Sequence, residues 1–227
     1  MTLHMGNISP THGATEIKAN SFRIGQRVYR RFLKPTLDFV IVFAALPIVI
    51  PVIAILALIV WLDGGNPFYS QQRIGKNGKI YRIWKLRTMV HDADRRLDTL
   101  LASNPEARAE WDLTQKLRKD PRITRVGALL RRTSMDELPQ LWNVLRGEMS
   151  LVGPRPMMPC QRSLYPGNDY EALRPGITGP WQVSKRNNSS FADRAAYDSL
   201  YCERLSLMTD IRLLAATFRV VLRGTGY

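Results

Sequence analysis

Residues 39 to 62 read FVIVFAALPIVIPVIAILALIVWL, a stretch without a charge, bracketed by Asp38 and Asp63. A run of about 18 or more apolar residues is long enough to enter a bilayer, whose hydrocarbon core is about 30 Å thick. The competing explanation is a buried core helix, but such helices rarely run this long without polar residues. The run sits too deep in the chain for a signal peptide and lacks a small-residue cleavage site. Whatever else this chain builds must therefore fold beside a membrane-inserted segment.

Its flanks argue about topology. Arg23, Arg27, Arg30, Arg31 and Lys34 precede the run, and Arg73, Lys76, Lys79, Arg82, Lys85 and Arg87 follow it. Basic residues favour the cytoplasmic side, and one crossing cannot satisfy both flanks. Pro47 and Pro51 lie within the run, and each removes a backbone donor and crowds the preceding turn. A bend near Pro51 leaves two arms of about 12 residues, each about 18 Å long, roughly one leaflet deep. These features predict a helix that enters and returns on the cytoplasmic face, with Pro47 and Pro51 as its break. A straight or kinked crossing is the alternative.

Beyond this segment, 33 Lys and Arg against 19 Asp and Glu leave a formal charge of +14 and a pI near 10.3. That balance asks for an anionic partner: nucleic acid, an acidic membrane surface or phosphorylated substrates. With 227 residues and 45% hydrophobic content, the chain suits one compact domain with an attachment, or two small ones, and can bury a core. Cys160 and Cys202 are too few for a disulfide framework and fit a reducing compartment. His4, His12 and His91 show no metal-ligand spacing, which argues against zinc.

Residues 1–20 are polar and predicted to be a disordered tail; residues 21–66 carry the basic flank and membrane helix; residues 67–227 form the cytoplasmic domain. FYSQQRI and KIYRIWKLRTM flank Gly75-Lys76-Asn77-Gly78, a strong hairpin signal. Alternation puts Lys85 and Arg87 on one face of the second strand. Helices are predicted over 91–103, over 105–117 with Asn104 as cap and Pro105 at its first position, and over 123–133. Residues 209–224 read as a basic amphipathic helix stopped by Gly224, with Arg212, Arg219 and Arg223 on one face, suited to a membrane surface. Core packing would explain its apolar face equally well. The expected fold is α+β, mostly helical: a small catalytic domain with a β-hairpin, held by a re-entrant helix and amphipathic surface helices.

Asp136 and Glu137 stand together in this basic chain. Ser134-Met135-Asp136-Glu137 matches a capping box with Ser134 as N-cap, which is a sufficient structural explanation. Pro139 complicates it, because from Ser134 it falls beyond the first turn and costs a ladder bond. A functional explanation stands beside it. A helix N-terminus attracts phosphate, and Arg131 and Arg132 lie just upstream. Gly153-Pro154-Arg155-Pro156 and Arg174-Pro175-Gly176 each fix an arginine on a stiff turn, suited to bidentate bonds with a diphosphate. Beside a diphosphate, one carboxylate can hold Mg²⁺ and the other can attack phosphorus. Spacing does not say which does which.

From KPTLDF through YRIWKLRTM, DPRITRVGALLRRTSMDELPQLWNVLRGEMSLVGPRP and LRPGITGPWQVSKRN, the chain resembles the bacterial sugar transferases, the monotopic polyprenyl-phosphate phosphoglycosyltransferases. Within them it is most similar to the short enzymes that begin exopolysaccharides such as succinoglycan by loading galactose phosphate. The resemblance implies transfer of a sugar 1-phosphate from a UDP-sugar to undecaprenyl phosphate, with release of UMP, at the cytoplasmic face of the bacterial inner membrane. It places the nucleophile at Asp136, Mg²⁺ at Asp136 and Glu137, and phosphate-binding cations at Lys85, Arg131 and Arg155. Arg87 and Arg174 join them as phosphate-binding candidates, and Gln182, Arg186 and Asn187 are substrate-binding candidates. The implied partners are the UDP-sugar, undecaprenyl phosphate and inner-membrane lipid, not nucleic acid, with a homodimer left open. The family breaks its re-entrant helix at Ser-Pro; here Pro51 matches, Ile50 replaces the serine and Pro47 is added. GPWQVSKRNN departs from the commoner GWWQVSGRN-like form at Pro180 and Lys185. Two competitors remain: a metal-dependent membrane glycosyltransferase without a covalent intermediate, and a non-catalytic, membrane-tethered binder of nucleic acid or acidic lipid.

Overall fold

The structure, a computed structural model, describes residues 24–184 and 190–222. The expected tail over residues 1–20 lies outside the described residues, as do Arg186, Asn187, Arg223 and Gly224.

The apolar run lies in helix α1 (Lys34–Leu62), which continues from a wider π-helical turn at Tyr29–Leu33. Pro47 and Pro51 lie inside α1, and the helix continues through both. The two arms are therefore parts of one element. Only Lys34, Asp38, Val42, Ala57 and Val60 are buried on α1, while Phe43, Ile48, Ile50 and Ile55 are exposed. A core helix would bury such side chains; this one is long and apolar enough to enter a membrane.

Both arms rest on the same domain. Val42 packs with Tyr81, Ile83, Val144 and Met149, whereas Ala57 and Val60 pack with Leu86 and Leu130. The N-terminal end is further fixed by polar bonds. Asp38 accepts from Ser150 Oγ, and Asp210 takes the Lys34 ammonium at 2.6 Å together with the Tyr29 and Tyr201 hydroxyls. Asp210 thus satisfies three buried donors at once, as a buried carboxylate must be satisfied.

The hairpin forms as expected. Strands β1 (Phe68–Ile74) and β2 (Ile80–Leu86) pair antiparallel around a tight turn at Lys76–Gly78. Asn77 and Gly78 adopt φ of 57° and 73° there, a conformation these residues tolerate. Two helices follow, α2 (Ala93–Ser103) and α3 (Pro105–Thr114), with Asn104 accepting from the Ala107 amide. α3 stops short of the expected Leu117, because Gln115 turns left-handed at φ 56°. Helix α4 (Arg125–Thr133) is capped by Thr124, whose hydroxyl accepts from Gly127 N.

The capping box at Ser134 is not there. Ser134 ends α4 in the left-handed conformation, φ 57°, and makes no side-chain cap bond. Met135–Glu137 is a single 3₁₀ turn, and α5 (Gln140–Leu145) begins only after Pro139. The proline forbids the continuous helix that the capping box requires.

β3 (Ser150–Val152) and β4 (Gly176–Thr178) pair parallel, bringing the two arginine–proline turns back to back. The approach is too close for side chains: a Cβ on Gly153 would lie 2.3 Å from the Arg174 carbonyl oxygen. The chain ends through α6 (Asp169–Ala172), α7 (Pro180–Val183), α8 (Arg194–Glu203) and α9 (Leu207–Leu222). α9 turns Leu213 and Leu214 toward the core around Val152 and Tyr201, and leaves Met208, Ile211 and Phe218 exposed. Its outer face thus mixes apolar residues with Arg212 and Arg219, as a membrane-surface helix does.

Candidate active site

Four elements carry side chains into one cavity of about 990 Å³. Lys85 comes from β2, whose backbone is locked to α5 by the fully buried Asn143. That side chain accepts from Trp84 N at 3.2 Å and donates to Arg82 O at 2.8 Å. Arg131 comes from α4, which lies so close to the segment after β2 that a Cβ on Gly127 would sit 2.1 Å from the Thr88 carbonyl oxygen. One turn later, Arg131 Nε donates to Thr88 Oγ1 at 2.9 Å. Arg155 comes from the turn after β3 and lies over the Trp181 ring at 5.7 Å. Asp136 and Glu137 come from the 3₁₀ turn between α4 and α5.

Lys85 Nζ is 2.6 Å from Glu137 Oε1 and 3.8 Å from Asp136 Oδ2. Asp136 is 6% exposed. Burial pushes its carboxyl above the usual carboxylate range; Lys85 pulls it back, the Glu137 charge raises it, and Arg131 and Arg155 lower it. Burial also weakens the charged form of Arg131, which the Asp136 carboxylate supports. The result is a desolvated carboxylate held among three cations, which suits a nucleophile aimed at an anionic centre.

The expected help from a helix N-terminus is not at the pair. α5 starts at Gln140 and is only six residues long, so the side-chain cations supply the field. Arg87 is committed differently from its strand neighbour. It lines the cavity, but its guanidinium donates to Val60 O and Asn66 O, closing the C-terminal end of α1. Arg174 is not part of the cavity wall. The Arg174-Pro175 backbone joins β3 through Ser150 N to Pro175 O at 2.8 Å. Its side chain stands instead near Gly147, where Asp38 supports the charge that burial weakens.

Gln182 is in the wall, buried, with both Nε2 and Oε1 lacking a partner. Sequence reasoning missed several neighbours. Trp181 gathers Lys116 at 4.6 Å and Arg194 at 4.3 Å as well as Arg155. Arg122, paired with Asp120 at 2.7 Å and lying against Trp111, also lines the cavity. Arg73 of β1 also lines the cavity; the alternation that singled out Lys85 could have found it.

Among the described residues no group of three or more His, Cys, Asp or Glu side chains could hold a metal. Mg²⁺, however, is often held by one or two carboxylates, with water and substrate phosphates completing the shell. The hard oxygen donors of Asp136 and Glu137 fit that mode.

Comparison with known proteins follows the same line. The bacterial sugar transferase family matches residues 29–224. The chain is 47% identical over 198 residues to a UDP-galactose-lipid carrier transferase of Erwinia amylovora, covering 86% of this chain and 42% of that protein. It is 46% identical over 198 residues to an undecaprenyl-phosphate galactose phosphotransferase of Salmonella typhimurium, with the same coverage. It is 43% identical over 196 residues to the exopolysaccharide production protein ExoY of Sinorhizobium fredii, covering 85% of this chain and 87% of that protein. The chain therefore spans less than half the length of the first two relatives and most of the third. By the extent of the family match and by these identities, the chain belongs to the bacterial sugar transferases.

Proposed function

We propose that this chain is a phosphoglycosyltransferase that moves a hexose 1-phosphate, galactose or glucose, from a UDP-sugar to undecaprenyl phosphate. It would act at the cytoplasmic face of the bacterial inner membrane, in the first membrane step of exopolysaccharide synthesis. The observation that carries this reading is the buried Asp136 carboxylate set among Lys85, Arg131 and Arg155.

In the first half-reaction an Asp136 oxygen bonds to the sugar-bearing phosphorus. The bond from that phosphorus to the bridging oxygen breaks, and UMP leaves with the electron pair. In the second, an oxygen of undecaprenyl phosphate attacks the same phosphorus and frees the Asp136 carboxylate. Lys85, Arg131 and Arg155 offset the repulsion between carboxylate and diphosphate. Glu137 and Asp136 would hold Mg²⁺, which, when bound, supplies charge neutralisation on the phosphate oxygens. The packing of both arms of α1 on one domain supports the re-entrant topology, which keeps the cavity and the lipid acceptor on one side.

Asp136→Asn tests the mechanism. The substitution keeps the shape of the 3₁₀ turn and removes a charge that burial disfavours, so the variant should melt no lower than the parent. Intact mass spectrometry of enzyme mixed with UDP-sugar and Mg²⁺, without lipid, should show an added hexose phosphate in the parent and none in the variant. Release of UDP without an adduct would instead identify a metal-dependent glycosyltransferase.

A further inference from the structure

The hairpin carries a cation that the mechanism above leaves unused. Tyr69 is the cross-strand partner of Lys85, and cross-strand partners share a face, as do alternate residues along a strand. Tyr69, Gln71 and Arg73 therefore stand on the same face as Lys85, with Arg73 about 13 Å along it at the strand rise. Gln71 and Arg73 both line the cavity, and Arg73 Nη2 donates to Gln71 Oε1 at 2.6 Å. Arg73 Nε is buried without a partner. None of the ion pairs among the described residues involves Arg73 or Arg155. A half-buried guanidinium whose Nε is shut off from solvent, with no counter-anion, is costly to keep.

A second unmet demand lies in the same wall. Gln182 is 6% exposed, and neither its amide donor nor its acceptor has a partner. It follows Trp181, whose ring carries Arg155. Arg155 lines the same cavity, and its charge bears on both Asp136 and Arg73.

We propose that Arg73, Arg155 and the Gln182 amide form a subsite for the phosphate of the departing nucleoside monophosphate, one phosphate along from the phosphorus that Asp136 attacks. The assignment rests on the reaction proposed above. As the bond from that phosphorus to the bridging oxygen breaks, the electron pair stays on the bridging oxygen, which becomes a phosphate oxygen of UMP. The guanidinium groups of Arg73 and Arg155 meet the charge that grows there. Inorganic phosphate would satisfy only the donors. A nucleotide also brings hydroxyl and N–H groups, which the Gln182 Oε1 acceptor requires.

The test is UMP binding to the full chain in lipid nanodiscs, by calorimetric titration and by thermal melting, with uridine as the phosphate-free control. Arg73→Met should weaken UMP at least tenfold and leave uridine unchanged. Without ligand it should melt no lower than the parent, because it removes a half-buried charge that has no counter-anion; a purely structural arginine would melt lower. Gln182→Leu should weaken both UMP and uridine. Arg73→Lys, which keeps the charge but loses the fork, should weaken UMP at least fivefold and serves if Arg73→Met fails to fold. UMP affinity within twofold of the parent in the Arg73 variants overturns the subsite. Absence of a hexose-phosphate adduct in the parent would sink the covalent reaction instead, and the UMP titrations would still judge the subsite.

Discussion

Lys85 donates to Glu137 at 2.6 Å and stands 3.8 Å from Asp136, so one ammonium holds both carboxylates of the pair. Burial raises the pKa of Asp136, and Lys85 is the largest influence opposing it. A nucleophilic carboxylate must be ionised, so adduct formation should fall as pH drops through this raised pKa. The acidic limb therefore lies above the ordinary carboxylate range. Lys85→Met removes the main opposing charge, raises the pKa further and should move the limb to higher pH. Rates of hexose-phosphate addition measured across pH give the comparison, and an unmoved limb would show that Lys85 does not tune Asp136.

Arg155→Lys keeps a charge over Trp181 but not the planar fork that can hold two phosphate oxygens. Turnover should fall at least tenfold, or about 1.4 kcal/mol of barrier. Steady-state release of UMP measures it. Parental activity in this variant would reduce Arg155 to a shaping element of its turn.

Gly153→Ala addresses the back-to-back turns. Its Cβ would lie 2.3 Å from Arg174 O and 2.8 Å from Gly176 N, both backbone atoms that cannot swing aside. The cost should be about 3 kcal/mol, a loss of roughly 6–12 °C in melting temperature for a chain of this size. Since the same turn aims Arg155, turnover should fall with it. Melting within 2 °C of the parent, by an order-of-magnitude reckoning, would mean that β3 and β4 can part.

Pro47→Ala with Pro51→Ala restores two backbone donors to the middle of α1. If the prolines favour return to the same face, the double variant should populate a crossing form. Single cysteines at residues 20 and 227, with Cys160 and Cys202 replaced by serine, report which ends are reached by an impermeant reagent in intact cells. Both should be protected in the parent. One end labelled from outside in the parent itself would refute the re-entrant topology.

What the sequence disclosed was local. The hairpin was legible because Asn77-Gly78 and the alternation around it act over a few residues, and the Asn104 cap for the same reason. Ser134 misled because S-x-x-E describes a helix start, while here the preceding helix ends on that serine and Pro139 delays the next. Arg174 resembled Arg155 in its turn, yet parallel pairing with a strand some two dozen residues earlier decides where each side chain goes. No local pattern contains that pairing. Arg73 is one of many basic residues after the apolar segment, and that abundance hides its place in the strand alternation.

The bond between Lys34 and Asp210 spans 176 residues of chain. During synthesis at about 5–20 residues per second, Lys34 emerges roughly 9–35 s before the carboxylate that completes it. Throughout that interval the basic end of the apolar segment is without its carboxylate partner. α9, which brings Asp210, also supplies Thr217, Val220 and Val221 to the cavity wall. One helix thus both fixes the basic end of α1 and completes this wall of the cavity, so anchoring and cavity closure are coupled through α9.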